Sequence, residues 1–247
     1  MSAFTPDAVR AAGGPWSDWP DLRLAAAERF AAAPLPSPEE EIWRYSRIDQ
    51  LDLERFRPAR VGTTVEGGAD VLVDAEPELF ADQTPDVFAD ANRAFMTPTV
   101  VRVPAGRTIA EPIVVTHSIG GAGLALFPRL VVDAGADSDV TVVERFVTAP
   151  GAADDETLVV PVLQVRAAPA ARVRYLAVNE VGAKTWQIGN QQSVGDRDSS
   201  TLLATVTLGG DYVRARTEAR LIGKGGSTRQ VALYFAGGTQ MHDFRTI

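Results

Sequence analysis

Turn-forming residues recur along this chain at a nearly constant spacing. From residue 99 onward, clusters of Gly, Pro, Asp and Ala lie roughly 13 to 17 residues apart, with extended runs and no helical periodicity between them. The clusters are residues 104–106, 120–123, 133–135, 150–151, 167–171, 182, 195–196, 209–210, 223–227 and 236–238. A sandwich or small barrel places its turns about 8–12 residues apart. The longer spacing favours a β-solenoid of stacked coils, although no repeated motif separates that fold from an irregular sandwich.

Residues 212–222 alternate between two kinds of side chain. One set is small or apolar: Val213, Ala215, Thr217, Ala219 and Leu221. The other set is mainly charged: Tyr212, Arg214, Arg216, Glu218 and Arg220. Because successive side chains of a strand point to opposite faces, the pattern predicts a half-buried strand with a charged outer face. Another alternating run begins at Met241, and the sequence ends within it, so we expect an incomplete or truncated solenoid.

The first part of the chain predicts helices rather than strands. Residues 16–33 are rich in alanine and carry Trp16 and Phe30 at helical spacing. The Ser-Pro-Glu-Glu sequence at 37–40 has the pattern of a capping box and predicts a second helix. Thr84-Pro85-Asp86 predicts the start of a third, with Phe88, Ala91, Asn92 and Phe95 on one face. Between them, residues 58–68 are predicted as loop and 71–73 as a short strand. We therefore divide the chain into a helical region, 1–95, and a β-helix core, 96–247.

Composition excludes several classes of function. The chain has no cysteine, which excludes disulfides, a thiolate nucleophile and a cysteine-ligated metal or cluster site built from this chain alone. The acidic excess lies in residues 1–98, with nine Lys and Arg against 18 Asp and Glu. No basic patch with interleaved aromatic residues is present, so we expect no nucleic-acid partner. The N-terminus lacks the apolar core of a signal peptide, and no apolar run is long enough to span a membrane, which predicts a cytoplasmic protein.

The histidines are the first candidates for chemistry. His117 follows a β-branched run and precedes a glycine turn, which predicts a histidine at the surface or at a strand end. His242 adjoins Asp243, and an imidazole beside a carboxylate is a conceivable ligand for iron or zinc. Neighbouring strand residues point to opposite faces, however, so the pair does not by itself form a metal site. His242 is the one metal candidate we name, and no catalytic residue is assigned.

Clustered acids provide the alternative of an enzyme. Asp133, Asp137 and Asp139 form one group, and Asp154, Asp155 and Glu156 form another. A β-helix enzyme acting on acidic polysaccharide would use such turn aspartates together with a row formed by Arg214, Arg216 and Arg220. For that reading, acids and arginines must share one groove. Asp is also frequent in turns for conformational reasons alone, which favours the non-enzymatic interpretation.

Several stretches, in order along the chain, resemble the SufB/SufD family of iron–sulfur cluster assembly scaffolds, and are more similar to SufD. They are 41–46 (EIWRYS), 103–106 (VPAG) with 111–113 (EPI), 128–136 (PRLVVDAGA), 208–214 (LGGDYVR), 221–226 (LIGKGG) and 240–246 (QMHDFRT). The resemblance implies a right-handed parallel β-helix after an N-terminal helical region. It also implies a C-terminal helical region that docks on the SufC ATPase, and a further part of the β-helix that pairs SufB with SufD; neither is present in this sequence.

The resemblance, with the missing cysteines, implies a non-catalytic scaffold subunit. A nascent iron–sulfur cluster requires thiolate ligands, so they would come mainly from the partner subunit. We expect a SufB-like subunit and a SufC-like ATPase as partners, and leave a homodimer open. This chain alone is expected to bind no cofactor, with iron or a cluster held transiently in the complex.

Overall fold

The computed structural model describes residues 3–11, 18–68, 79–80 and 85–247. Over this part of the chain, parallel sheets form a β-solenoid of about five turns with few helices, which confirms the mainly β, β-helical fold. The helices are α1 (Pro6–Ala11), α2 (Pro20–Ala32) and α3 (Val87–Phe95), with 3-10 turns at Glu41–Trp43, Ile48–Gln50 and Leu53–Arg55. The strands are β1 (Arg57–Ala59), β2 (Gly62–Glu66), β3 (Thr97–Val103), β4 (Ile113–Ile119), β5 (Leu124–Leu126), β6 (Pro128–Ala134), β7 (Asp139–Thr148), β8 (Thr157–Val159), β9 (Val162–Ala167), β10 (Arg172–Glu180), β11 (Thr185–Gly195), β12 (Ser200–Thr207), β13 (Tyr212–Leu221), β14 (Ser227–Tyr234) and β15 (Met241–Thr246).

The strands form two sheets that face each other across the core. The first sheet runs β1-β5-β8-β11-β9-β6-β3, with β13 paired to β11 and β15 paired to β13. The second sheet runs β14-β12-β10-β7-β4-β2. Strand β11 pairs with both β8 and β9, so the earlier coils carry a broken strand where the later coils carry a continuous one. In the part of the chain described, only β2 and β4 pair in antiparallel fashion.

A backbone repeat underlies the turn spacing that the sequence showed. One turn per coil contains a residue in the left-handed region, and these residues are roughly 30 positions apart. They are Gly106, Asp137, Ala170, Asp198 and Gly225. Each of the first four donates its N–H to the carbonyl just before the equivalent residue of the next coil. The repeat is therefore conformational, and side chains as different as Gly, Asp and Ala fill it.

The core between the sheets is made of inward-pointing β-branched side chains. Val132 and Val165 of the first sheet and Val142 and Val173 of the second belong to one cluster, each no more than 1% exposed. Burying a side chain of this size contributes about 1.5–3 kcal/mol relative to leaving it in water. Stacking the coils therefore stabilises the solenoid even though the strands share no sequence motif.

The N-terminal helices pack against the outward face of the first sheet. Phe4 lies between α2, α3 and the sheet, with edge-on contacts to Phe30, Phe95 and Phe127. Buried Asn92 of α3 donates hydrogen bonds of 2.9 and 2.7 Å to the carbonyls of Pro128 and Val160, where β6 begins and β8 ends. In the part of the chain described, the helices lack the length and apolar character needed to cross a membrane.

Several local predictions for the first part of the chain hold. Helix α2 lies within the predicted 16–33, beginning at Pro20, whereas Trp16 lies outside the described residues. Helix α3 begins as expected after Pro85. Its cap is Asp86, whose carboxylate accepts from the N–H of Ala89 at 3.1 Å, and Thr84 lies outside the described residues. The strand predicted at 71–73 also lies outside them.

Two local predictions are wrong. The capping-box sequence does form a local hydrogen bond, from Ser37 N–H to Glu40 Oε1 at 2.9 Å, but only a 3-10 turn follows it. Trp43 is drawn into the core and Tyr45 adopts a positive φ, which ends the turn. Residues 58–68, predicted as loop, contain most of β1 and all of β2. Sheet edges supply hydrogen-bond partners there that local sequence does not reveal.

Candidate functional site

The charged face predicted for β13 is buried rather than exposed at its first half. Tyr212 and Arg214 are 0% and 1% exposed because the Glu41–Trp43 turn covers them. The Arg214 guanidinium forms an ion pair with Asp243 of β15 and donates to the carbonyl of Ile42 at 2.6 Å. It also lies 3.9 Å from the centre of the Trp43 ring. A buried guanidinium with a carboxylate, a carbonyl and an aromatic face has its charge compensated, so Arg214 joins three chain segments.

A second cation extends this junction. Arg47 donates to the backbone and side-chain oxygens of Asp211 at 2.8 and 3.0 Å. Its guanidinium lies 5.5 Å from the Trp186 ring and 5.8 Å from the Tyr212 ring. Asp211 in turn accepts from the indole N–H of Trp186 at 3.1 Å. These contacts hold residues 42–47 against the later strands of the first sheet. We call the group formed by Trp43, Arg47, Asp211, Tyr212, Arg214 and Asp243 the arginine junction.

The arginine junction changes the ionisation of its tyrosine. Burial raises the pKa of Tyr212 to about 12, and the negative charge of Asp243 adds to the effect. Nearby Asp86, at the N-terminus of α3, has its pKa raised by burial against hydrogen bonds from Ala89 and Asn190. Both shifts follow from the covering of the first sheet by the N-terminal segment.

The remaining arginines of β13 do not complete a substrate-facing row. Arg216 pairs with Glu218 and donates to the carbonyl of Pro85 at 2.8 Å, so its guanidinium also faces the N-terminal region. Arg220 is exposed at the far end of the strand. Of the three arginines in the proposed row, two are thus engaged in contacts within the chain.

His242 and Asp243 point away from each other, as their adjacent positions on β15 required. His242 is half-buried and donates through Nε2 to the carbonyl of Gly209 at 3.1 Å, while Asp243 faces Arg214 and Arg245. Burial lowers the pKa of His242, and the Gly209 hydrogen bond opposes that shift. Among the described residues, no group of three or more His, Cys, Asp or Glu side chains is arranged to hold a metal ion.

The first aspartate group lies in ion pairs and a turn. Asp133 is 5% exposed and accepts from Arg166 at 2.7 and 2.6 Å and from Arg102 at 3.2 Å. Asp139 pairs with Arg174, and Asp137 occupies one of the stacked left-handed turn positions. These acids therefore hold neighbouring coils together.

The second acidic group is equally engaged. Asp155 accepts from the N–H of Gly121 at 2.7 Å, and Glu156 pairs with Arg55. Asp154 is exposed and lies 3.7 Å from Lys184. No acid of either group is a partner of Arg214 or Arg216, whose guanidinium groups contact Asp243, Ile42, Glu218 and Pro85 instead.

His117 is buried in the core, and its predicted place at the surface or at a strand end is wrong. Its side chain is 0% exposed, with Nε2 lying 2.9 Å from Glu144 Oε1 and Nδ1 lying 2.9 Å from Thr63 Oγ1. The Tyr175 hydroxyl donates to the other oxygen of Glu144. Burial, followed by the Glu144 charge, raises the pKa of Tyr175 well above its ordinary value. The sequence analysis missed Glu144; the signal that could have placed it inward is the strand parity it shares with Val140, Val142 and Phe146.

A small cavity adjoins this buried network. It has a volume of about 20 Å³ and is lined by side chains that include Glu144, Tyr175, Asn179, Gln187 and Thr205. Gln187 donates to Asn179 at 3.0 Å, but its carbonyl oxygen has no partner among the described residues. A space of this size with polar walls suits a single water molecule. Its volume is too small for a substrate, so it is a feature of internal packing.

Comparison with known proteins identifies one family. The model of the SufBD core domain of the SUF system for FeS cluster assembly matches residues 117–247. The match begins within β4 and includes all later coils of the solenoid. No curated protein matches the chain.

Proposed function

The chain belongs to the SufB/SufD family and has a role in SUF-type iron–sulfur cluster assembly; from this premise we propose that it is a non-catalytic scaffold subunit of the SufD type. In this role it pairs with a SufB-like subunit and acts with a SufC-like ATPase in the cytoplasm. The observation that carries the proposal is the SufBD core domain, which matches residues 117–247 and so includes all of β5 to β15. The chain that contains this domain has no cysteine.

The absence of cysteine determines which subunit of the proposed complex would provide the cluster ligands. Assembly of an iron–sulfur cluster requires thiolate ligands, and the sequence contains none. The SufB-like partner would therefore supply them, while iron or the nascent cluster passes through the complex as cargo. The present chain would contribute shape, rigidity and contact surface.

The use of the charged residues supports a scaffold over an enzyme. Arg214 and Arg216 contact the N-terminal region, and Asp133 is held between Arg102 and Arg166. A polysaccharide-acting enzyme needs carboxylates free to exchange protons with substrate and cations free to bind it. No observation favours that alternative, so we propose no catalytic residue.

Co-purification tests the proposed partnership. The tagged chain is co-expressed with the SufB-like and SufC-like proteins of its host, and we expect a stoichiometric complex by size-exclusion chromatography with mass detection. The control is the same co-expression with a tagged, unrelated β-solenoid. Recovery of a SufB–SufC complex that excludes this chain would contradict the proposal.

Reconstitution with iron and sulfide tests the division of labour. The chain alone is expected to develop no visible absorbance of an iron–sulfur cluster, whereas the complex with the SufB-like subunit develops it. Substituting the candidate His242 by Gln should leave that absorbance unchanged if the cluster ligands lie on the partner. A cluster assembled on the isolated chain would contradict this part of the proposal.

A further inference from the structure

The outward face of the second sheet carries apolar side chains in register. Along β7, β10, β12 and β14, one column across the strands contains Val143, Leu176, Ala204 and Val231. In the next column, Val178, Val206 and Leu233 are aligned, and the β7 position is Arg145, which is ion-paired with Glu180. The inward-pointing neighbours on β7, β10 and β12 are buried, whereas β14 is largely exposed on both of its faces. The outward apolar residues range from half-buried to 57% exposed at Leu233. We call Val143, Leu176, Val178, Val206, Val231 and Leu233 the apolar face.

A basic edge borders the apolar face where the strands begin. Arg172 and Arg174 of β10 and Arg229 of β14 point outward there and line a shallow groove of about 380 Å³ together with Ser200 and Ser227. Asp139 neutralises Arg174. Arg172 and Arg229 form no ion pair within the described residues. The groove thus presents two free cations next to hydroxyl groups.

The dimensions of the apolar face indicate what covers it. Four strands at about 4.8 Å spacing and four residues at about 3.3 Å give roughly 19 Å by 13 Å, or about 250 Å². A standard interface between two globular proteins buries about 800 Å² on each partner, so the face is too small to hold a second copy of this chain by itself. It is wide enough for one helix, which has a diameter of about 10–12 Å with its side chains.

We propose that the apolar face and its basic edge form a docking surface for an acidic amphipathic helix of a partner protein. The helix lies across the strands, with its apolar side on the apolar face and carboxylates along one flank. The Arg172 and Arg229 backbones are about 12 Å apart by strand spacing. Two glutamates seven positions apart on a helix are separated by about 10.5 Å, which matches. Charge complementarity thereby sets the orientation and register of the helix.

Fluorescence anisotropy with designed peptides tests the docking surface. The probe is a labelled 18-residue helix with leucines on one face and glutamates at two positions seven apart on its flank; the comparison peptide has lysine at those two positions. We expect the acidic helix to bind the full chain at least tenfold more tightly than the basic one. The double charge reversal Arg172→Glu with Arg229→Glu should weaken binding at least tenfold. Arg220→Glu, which alters an exposed arginine on the other sheet, should change it less than twofold.

Further outcomes separate the alternatives. Leu176→Asp should also abolish binding, with the circular dichroism spectrum and melting temperature checked to exclude unfolding. Equal binding of both peptides, or binding of neither, would overturn the proposal. If a glutamate peptide without leucines bound equally well, the site would bind anions without using the apolar face, and the proposal of a docking surface for an amphipathic helix would be overturned. A concentration-dependent dimer dissolved by Val206→Asp would assign the face to a second copy and overturn the proposal as well.

Discussion

The outward faces of the two sheets share one strand geometry but have different surroundings. On the first sheet, the N-terminal helices and the segment 42–47 cover the strands, and a charged residue such as Arg214 is fully buried. On the second sheet, apolar residues such as Leu176 face outward without cover from the described part of the chain. Alternation alone would predict the reverse, with charge in water and apolar groups inside. The difference shows that the coil geometry alone determines the burial of inward-pointing side chains. The burial of outward-pointing side chains depends on which segments pack against the outside of the sheet.

Removing the central cation of the arginine junction is the strongest way to test this comparison. Arg214→Ala leaves Asp243 buried with Arg245 as its remaining partner and removes the contact with Trp43. Loss of one member of a buried ion pair costs about 3–5 kcal/mol, so we expect a decrease of that size in the free energy of unfolding, measured with urea. Arg220→Ala on the same strand is the matched control and should change it by less than about 0.5 kcal/mol. Equal effects would show that the first sheet is not covered.

The link between α3 and the first sheet should give the next largest effect. Asn92 donates to the Pro128 and Val160 carbonyls and accepts from Arg129 at 3.1 Å. Asn92→Ala removes these three buried hydrogen bonds, each worth about 0.5–1.5 kcal/mol. We expect a loss of about 2–4 kcal/mol in urea unfolding, with Asn92→Asp as a variant that keeps the shape but cannot donate. A neutral Asn92→Ala would mean that α3 is held by apolar contacts alone.

Alkaline pH should expose the covered tyrosine. The folded-state pKa of Tyr212 is raised to about 12, above the ordinary value of about 10, so its contribution to stability is complete below pH 10 and is lost as the pH rises towards 12. Between pH 8 and 11 we expect a loss of about 1 kcal/mol that is absent in Tyr212→Phe. Tyr175 also has a raised pKa, so its contribution to stability falls as the pH rises in both the unmodified protein and Tyr212→Phe. A Tyr212→Phe variant with an unchanged pH profile would contradict burial at the arginine junction.

The smallest effect is expected on the bare second sheet. Val178→Thr keeps the β-branched shape and places a hydroxyl on the outward face, so unfolding free energy should change by less than about 0.5 kcal/mol. The matched variant Val173→Thr, on the inward side of the same strand, buries that hydroxyl and should cost about 1–3 kcal/mol. A large loss in Val178→Thr would show that this face is covered within the chain.

The sequence predicted the solenoid because its evidence is local. Turn clusters and strand alternation depend on neighbours within a few residues, and the stacked left-handed positions preserve the spacing although Gly, Asp and Ala all occur in them. The same local reasoning failed at residues 37–43, where a helix was expected. There the capping hydrogen bond of Ser37 forms, but the backbone does not continue as a helix, because a different conformation buries Trp43 over Arg214.

For candidate residues, the sequence identified the charged groups but not their surroundings. It separated His242 from Asp243 correctly, because adjacent strand residues diverge. It placed His117 outside the core and Arg214 in solvent, because the partners of both residues are distant in the sequence. The partners of His117 are Glu144 and Thr63, and those of Arg214 are Ile42 and Asp243. Whether the cluster ligands lie on a partner, and whether this chain pairs with SufB-like and SufC-like proteins, stay predictions.

By itself, then, the sequence determined the family, the β-helical fold and the lack of thiolates, which are properties of local pattern and composition. Only the tertiary structure decided which outward face is covered, and that Arg214 is buried and paired. It also decided that the second sheet presents an apolar surface beside Arg172 and Arg229, which form no ion pair with the residues that the structure describes. The physical reason is that burial and charge compensation depend on segments that are far apart in the chain and meet only when the coils stack. Ile42 and Arg214, for example, are 172 residues apart.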